Sequence, residues 1–349
     1  MFVKKTIISV VVALTLTSLS TIVAAQEAAP APVFVNPVPL MQEGRAFPGT
    51  GNEGVITARY TVKADGTTAD VEILGGFTNP FYEDIIRKNI AAWTFTPGTV
   101  NGEARDFFNQ EYTFKVKVSD TLAISPAVQA ALEPIRQSIA DKDFAAARDT
   151  INGLLAKEVH SVLDFALMNE MMVTAQMGLG DPFAALAASK LATLSSPGLA
   201  GGTEYNLTPE LLDGALKQQV ALAATVRQQG EVLNAWQQLD AISDAPADAK
   251  LDEWIATARQ QLESPDPLLQ LGKIVANGHW EHVPSRRIFT VADVREGSLN
   301  KVVAHCARRT LELEYQEGVD WTLPPTFGDC KLDFQGSNGT LFTVYEFAQ

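Results

Sequence analysis

Two histidines three residues apart, His279 and His282 in GHWEHVP, and two cysteines, Cys306 and Cys330, are the residues whose type and spacing point first to chemistry. On a helix that spacing would put both imidazoles on one face, half of a zinc site. Gly278 and Pro284 bracket the segment and leave barely one turn, and no cysteine or carboxylate at ligand spacing completes the set. A structural role therefore outweighs a metal, and the isolated His160 and His305 read the same way. The cysteines lack the Cys-x-x-Cys spacing of a redox or metal pair. There is no Gly-x-Ser-x-Gly, no His-Glu-x-x-His and no Gly-rich phosphate loop. Arg286-Arg287 and Arg308-Arg309 make either a basic spot or, the favoured reading, solvated pairs on strand edges. The expectation is a protein with no catalytic residue, no metal and no cofactor, and not an enzyme.

The elements that hold these residues begin with the two ends of the chain. MFVKKTIISVVVALTLTSLSTIVAA has Lys4 and Lys5, an apolar stretch from Ile7 to Val23 and small residues before Gln26. It has the form of a secretory leader, residues 1 to 25. Ser and Thr interrupt the stretch, which favours cleavage; the alternative is an uncleaved membrane anchor. Loss of two lysines with the leader takes the formal charge from −14 to −16. So acidic a protein repels phosphate backbones, and nucleic acid is excluded as a partner. Export also puts Cys306 and Cys330 in an oxidising compartment, where such a pair forms a disulfide. A length of 349 residues implies two or three domains at roughly 150 residues each.

Residues 26 to 44, rich in Ala and Pro, make a semi-extended lead-in. In the first domain, residues 45 to 120, Ile56, Ala58, Tyr60 and Val62 alternate with Thr57, Arg59 and Thr61, the pattern of a half-buried strand. Asp65-Gly66 supplies a hairpin turn and a second strand carries Ala69, Val71 and Ile73. Asn79-Pro80 opens a helix with the stripe Tyr82, Ile86, Ile90 and Trp93. After turns at Pro97-Gly98 and Asn101-Gly102, a long strand sends Phe108, Tyr112, Phe114, Val116 and Val118 one way and Glu111, Thr113, Lys115 and Lys117 the other. The unit is β-β-α-β, one sheet covered by one helix.

This run resembles the C-terminal domain of TonB, the energy transducer of Gram-negative envelopes. The likeness rests on Gly54 before the first strand, the Asp65-Gly66 hairpin, the Trp-x-aromatic-x-Pro of Trp93, Phe95 and Pro97, and the closing strand. It covers residues 45 to 118, and Trp93, Phe95 and Pro97 serve in it as a structural signature. The resemblance implies a periplasmic setting, with an inner-membrane anchor as the alternative. It also implies that the closing strand, through Gln110, Tyr112, Phe114 and Val116, captures an extended peptide of an outer-membrane receptor. Lys115 and Lys117 carry the opposing reading, an edge protected against pairing. Here the spacer is short and some 230 residues follow the domain, unlike TonB itself.

Residues 123 to 265 are helical. ADKDFAAARDTI, GLGDPFAALAASKLATL and RQQGEVLNAWQQLDAI each place a turn, then an apolar residue (Phe144, Phe183, Val232), then a small or apolar residue three further on (Ala147, Leu186, Ala235). Three helix hairpins follow, which resemble degenerate tetratricopeptide repeats; an ordinary bundle is the alternative. Beyond ESPDPLLQ, residues 268 to 349 read as a small antiparallel β-domain closed by Cys306 and Cys330, with Ser337-Asn338-Gly339 as a hairpin turn. The fold class is α+β and multidomain. The function that follows is protein-protein interaction at the cell envelope, in TonB-dependent transport to outer-membrane receptors or, alternatively, as a free periplasmic scaffold binding through its helical repeats. The partners are proteins or extended peptides, and a membrane only if the leader is kept.

Overall fold

A computed structural model of the chain describes residues 32–41, 53–77, 80–116, 124–157, 161–197, 203–242, 248–275 and 278–348. The leader, Asn79, Lys117, Val118 and His160 lie outside them. Among the described residues, no helix is long and apolar enough to cross a membrane. The fold is mixed, with antiparallel sheets before and after a run of helices.

The proline-rich lead-in contributes two short edge strands, β1 (Phe34–Val35) and β2 (Val38–Met41). A proline survives there because an edge leaves its missing N–H unneeded. Next come β3 (Gly54–Val62), β4 (Thr68–Phe77), α1 (Pro80–Ala92), β5 (Thr94–Thr96), β6 (Thr99–Val100), β7 (Glu103–Ala104) and β8 (Phe107–Val116). The main sheet has the antiparallel order β4-β3-β8, while β2 pairs with β5, and β1 with β6, which in turn pairs with β7. The predicted stripe of Tyr82, Ile86, Ile90 and Trp93 is buried against Ile56, Ala58, Tyr60 and Phe95. Gly66 closes the β3 to β4 turn at φ 86, and a Cβ there would stand 2.2 Å from the Phe95 carbonyl oxygen. Only glycine fits both constraints.

Two expectations change. The polar side of β3 was expected to face solvent, yet Arg59 and Thr61 are buried, at 6% and 4% exposure, because further structure covers that face. The aromatic that enters the core at the start of β8 is Phe107 rather than Phe108. A register shift opposite Tyr60 and Val62, with Asn109 at φ 54, inserts an extra residue there. Such a bulge reverses the alternation on one side of it, and asparagine tolerates the left-handed conformation it requires.

The middle contains α2 (Pro126–Ala140), α3 (Phe144–Lys157), α4 (Val162–Gly178), α5 (Pro182–Ala192), the short strands β9 (Ser195–Pro197) and β10 (Thr203–Tyr205), then α6 (Pro209–Thr225), α7 (Gln229–Asp240) and α8 (Ala249–Glu263). Ser125, Ser161 and Asp181 cap α2, α4 and α5, each side chain accepting from the N–H three residues on. The hairpins α2/α3, α4/α5 and α6/α7 are joined by one turn built three times. Lys142, Gly180 and Arg227 hold its left-handed position, at φ 63, 78 and 59. Around each, three successive N–H groups bond back into the preceding helix in the same pattern, as in Leu179 to Ala175, Gly180 to Met177 and Asp181 to Gln176. Counted from that position, Ala147, Ala185 and Val232 are the equivalent residues of the three second helices, each buried and each donating its N–H to the carbonyl four residues before it, at Asp143, Asp181 and Gln228; Leu186 and Ala235, aligned with Ala147 by sequence, are buried one and three residues further on.

Among its described residues the C-terminal part has eight strands, β11 (Leu268–Lys273), β12 (His279–His282), β13 (Ile288–Arg295), β14 (Leu299–Cys306), β15 (Arg309–Glu314), β16 (Asp320–Thr322), β17 (Cys330–Gly336) and β18 (Leu341–Phe347). They form two antiparallel sheets, β11-β18-β13-β16 and β12-β17-β14-β15, the strand order of a jelly roll. Trp280, Phe289, Val302, Phe334, Phe342 and Val344 fill the space between the sheets. Ser337, Asn338 and Gly339 were expected to close a hairpin, but β17 and β18 belong to opposite sheets, and the turn carries the chain from one to the other. Cys306 and Cys330 are joined as a disulfide across directly opposed positions of β14 and β17.

Candidate functional site

Gln110, Tyr112, Phe114 and Val116 stand at alternate positions of β8, at the margin of the first sheet. Residues 110 to 116 pair one for one with β3, from Tyr60 opposite Gln110 to Gly54 opposite Val116. The opposite margin differs. β4 is bulged twice against β3, with Asp70 at φ 52 and Gly75 and Gly76 at φ 152 and 132. Arg87 also donates to the Val71 carbonyl on β4. Bulges and such side-chain caps keep an edge from pairing, so β8 is the regular margin of the sheet. β9 lies alongside β8 without forming a ladder with it, and the Phe108 N–H donates to the Ala307 carbonyl at 2.7 Å.

Tyr112 and Phe114 turn their rings inward onto Trp93, at centroid distances of 5.1 and 5.3 Å, and Tyr60 meets the same indole edge-on at 5.7 Å. Trp93 and Phe95 are buried, so these aromatics form the core of the sheet rather than a ligand platform. Burial, with Tyr112 beside it, pushes the Tyr60 hydroxyl up to about 12.

The reverse face of the sheet carries a charge network that the strand pattern alone does not reveal. Arg59 on β3 donates through Nη2 to Glu111 on β8 at 3.0 Å and approaches Glu281 on β12 at 3.7 Å. Its Nη1 reaches Glu72 at 3.6 Å and lies 3.3 Å from Nδ1 of His305 on β14. Lys331 on β17 bonds both Glu111 oxygens, at 2.8 and 2.7 Å. Burial pushes the Glu111 carboxyl up, but Lys331 and Arg59 more than offset it and leave it below the usual carboxylate range. Burial first, and then Arg59, lowers His305 to about 4, so its imidazole is neutral at neutral pH. The network cements the first sheet to the jelly roll.

His279 and His282 lie on a strand, where a spacing of three sends side chains to opposite faces. The shared helical face is therefore corrected. His279 points outward and holds Asp333 at 3.1 Å. His282 is buried, stacks flat on Trp280 and places Nε2 2.6 Å from Glu346 Oε1. Glu346 Oε2 accepts the Ser285 and Arg286 backbone N–H groups at 2.7 and 2.9 Å. Among the described residues, no group of three or more His, Cys, Asp or Glu side chains is placed to hold a metal.

The arginine pairs also serve the fold. Arg286 donates to the carbonyls of Gln261, Leu262 and Ser264 at the end of α8, tying helix to jelly roll. Arg287 donates to the Pro324 and Gly328 carbonyls. Arg308 donates to the Asp106 carbonyl and lies over the Phe107 ring, and Arg309 lies over Phe327.

A cleft of about 410 Å³ separates the first turn of α7 from the loop between β12 and β13. Gln228, Glu231 and Asn234 line one wall, and His282, Val283 and Ser285 the other. Glu231 Oε1 accepts from Lys190 at 2.7 Å, while its buried Oε2 has no hydrogen-bond partner. Burial pushes this carboxyl up, but the Lys190 charge and hydrogen bond, with smaller help from Asn234 and His282, more than offset it and keep it ionised.

No family model matches the chain, and no curated protein matches it at significant similarity.

Proposed function

We propose that this chain is a non-enzymatic protein of the bacterial envelope that binds other proteins, taking an extended peptide as an added strand beside β8. The β-β-α-β arrangement and the Trp93, Phe95, Pro97 signature support the likeness to the TonB C-terminal domain, and with it a role in transport at outer-membrane receptors. One observation carries the reading: residues 110 to 116 keep an unbroken register with β3, and no further strand ladders onto their far side among the described residues. Strand addition needs such a flat, regular margin, since backbone hydrogen bonds supply affinity and alternate side chains supply register. β4, broken by two bulges, does not offer one.

The test is a photo-crosslinking residue at Gln110 in the intact envelope. An adduct with an outer-membrane protein is expected, and an equal yield from a crosslinker at Glu72 on β4 would sink the assignment to β8.

A second reading, a free periplasmic scaffold binding through its helices, is favoured by the turn repeated at Lys142, Gly180 and Arg227. Stacked hairpins present continuous surfaces to partners. The N-terminus of the protein recovered from the envelope separates the two. Met1 in the membrane fraction supports the transport role, and Gln26 in a soluble fraction supports the scaffold.

A further inference from the structure

We propose that the cleft between α7 and the β12–β13 loop is a binding site for a neutral, hydroxyl-rich ligand of the size of a sugar ring.

The cleft joins two independently built walls. On the jelly-roll side, Glu346 is fully buried and spends both oxygens on holding the wall in place, one on His282 and one on the Ser285 and Arg286 N–H groups. The imidazole is further pinned by its flat stack on Trp280, at 5.2 Å and 4°. With Nε2 committed to Glu346, Nδ1 is the ring nitrogen left over. On the helical side, Lys190 fixes Glu231 through Oε1 and the Asn234 amide stands beside the same carboxylate, while the buried Oε2 has no partner at full hydrogen-bond distance. A buried polar atom without a partner is destabilising, and at the wall of a cleft a small turn of the carboxylate lets it take a donor from outside the chain.

The chemistry of that donor follows from the charges. Glu231 is already paired with Lys190, so the vacant acceptor does not demand a cation. Asn234, exposed beside Glu231, adds an amide that both donates and accepts, and Gln228, whose Nε2 donates to the Leu271 carbonyl, keeps its amide oxygen as an acceptor. A hydroxyl also does both, which makes a polyol the matching ligand. Gly230 keeps the walls apart: a Cβ there would meet only Ser285 Oγ at 3.7 Å and the Val283 carbonyl oxygen at 4.0 Å. Val283, 57% exposed, and Pro284 give an apolar rim for the carbon face of a ring.

The test is saturation-transfer NMR on the full chain with methyl α-D-glucopyranoside, alongside n-butylammonium as a cationic probe. The glucoside is expected to bind saturably. Gly230→Leu, which fills the cleft and replaces a helix glycine by a better helix former, is expected to abolish the signal with a melting temperature no lower than that of the parent protein. Asn234→Ala, at an exposed helix position, is expected to weaken binding by about tenfold, the equivalent of one lost hydrogen bond. No saturable signal from the glucoside, or one indifferent to both substitutions, overturns the proposal. Binding of n-butylammonium in place of the glucoside overturns the ligand class.

Discussion

Arg59 on β3 and His305 on β14 are 246 residues apart in the sequence and 3.3 Å apart in space, guanidinium Nη1 to imidazole Nδ1. The contact is the centre of the join between the first sheet and the jelly roll. It explains why a strand with a polar alternate face is buried on both sides: β12, β14 and β17 bring Glu281, His305 and Lys331 onto Arg59 and Glu111.

Removing Arg59 should therefore loosen the whole molecule. Its side chain is 7% exposed, and truncation removes the buried guanidinium that joins the two sheets and leaves the part-exposed Glu111 with Lys331 alone. Arg59→Ala is expected to cost about 3 kcal/mol. Urea unfolding followed by intrinsic fluorescence measures it, and Arg59→Lys should recover only part, because an ammonium cannot span the same set of carboxylates.

The same contact sets a pH dependence. A histidine in the unfolded chain takes up its proton near 6.5, whereas His305 in the folded protein does so only at about 4. Between those values the unfolded state binds the extra proton, so stability falls as pH falls through this window. The depressed Glu111 carboxyl adds a further loss at lower pH, as it is protonated. Urea midpoints between pH 7 and pH 4, roughly spanning the histidine window, should decline, and His305→Gln should flatten the upper part of the slope. An unchanged slope in that variant would refute the assignment.

Trp93 packs against Tyr60, Phe95, Tyr112 and Phe114. Trp93→Ala is expected to cost about 3 to 5 kcal/mol by opening a cavity among these rings. The buried Nε1 has no hydrogen-bond partner, so Trp93→Phe forfeits no polar contact and should cost clearly less. Calorimetric melting of the two variants decides it. A Trp93→Ala variant that stays fully stable yet loses a peptide ligand would make the residue a binding group instead.

The disulfide closes a loop with a sequence separation of 24. Replacing both Cys306 and Cys330 by alanine is expected to lower stability by about 3 kcal/mol, chiefly by freeing the unfolded chain. Guanidinium midpoints of the oxidised, reduced and doubly substituted protein measure the effect, and equal midpoints would show the bridge to be dispensable.

The sequence by itself determined what depends on near neighbours. Alternation placed β3, β4 and most of β8, the 3.6-residue stripe of Tyr82, Ile86 and Ile90 placed α1, and three similar stretches announced three helix hairpins, because local backbone preference and one-sided burial leave a periodic trace. The pairing of Cys306 with Cys330 was legible because they are the only two cysteines. Tertiary structure alone decided what covers a second face. Arg59 has the pattern of a solvated residue until the jelly roll closes over it. His279 and His282 separate because pairing with β17 holds residues 279 to 282 as an extended strand. The bulge at Asn109 exchanges Phe108 for Phe107, and the turn at 337 to 339 crosses between sheets, since both depend on ladders formed with residues far along the chain. The cleft at Glu231 belongs to the same class: its walls lie about fifty residues apart, and only the docking of α7 beside the β12–β13 loop brings them together.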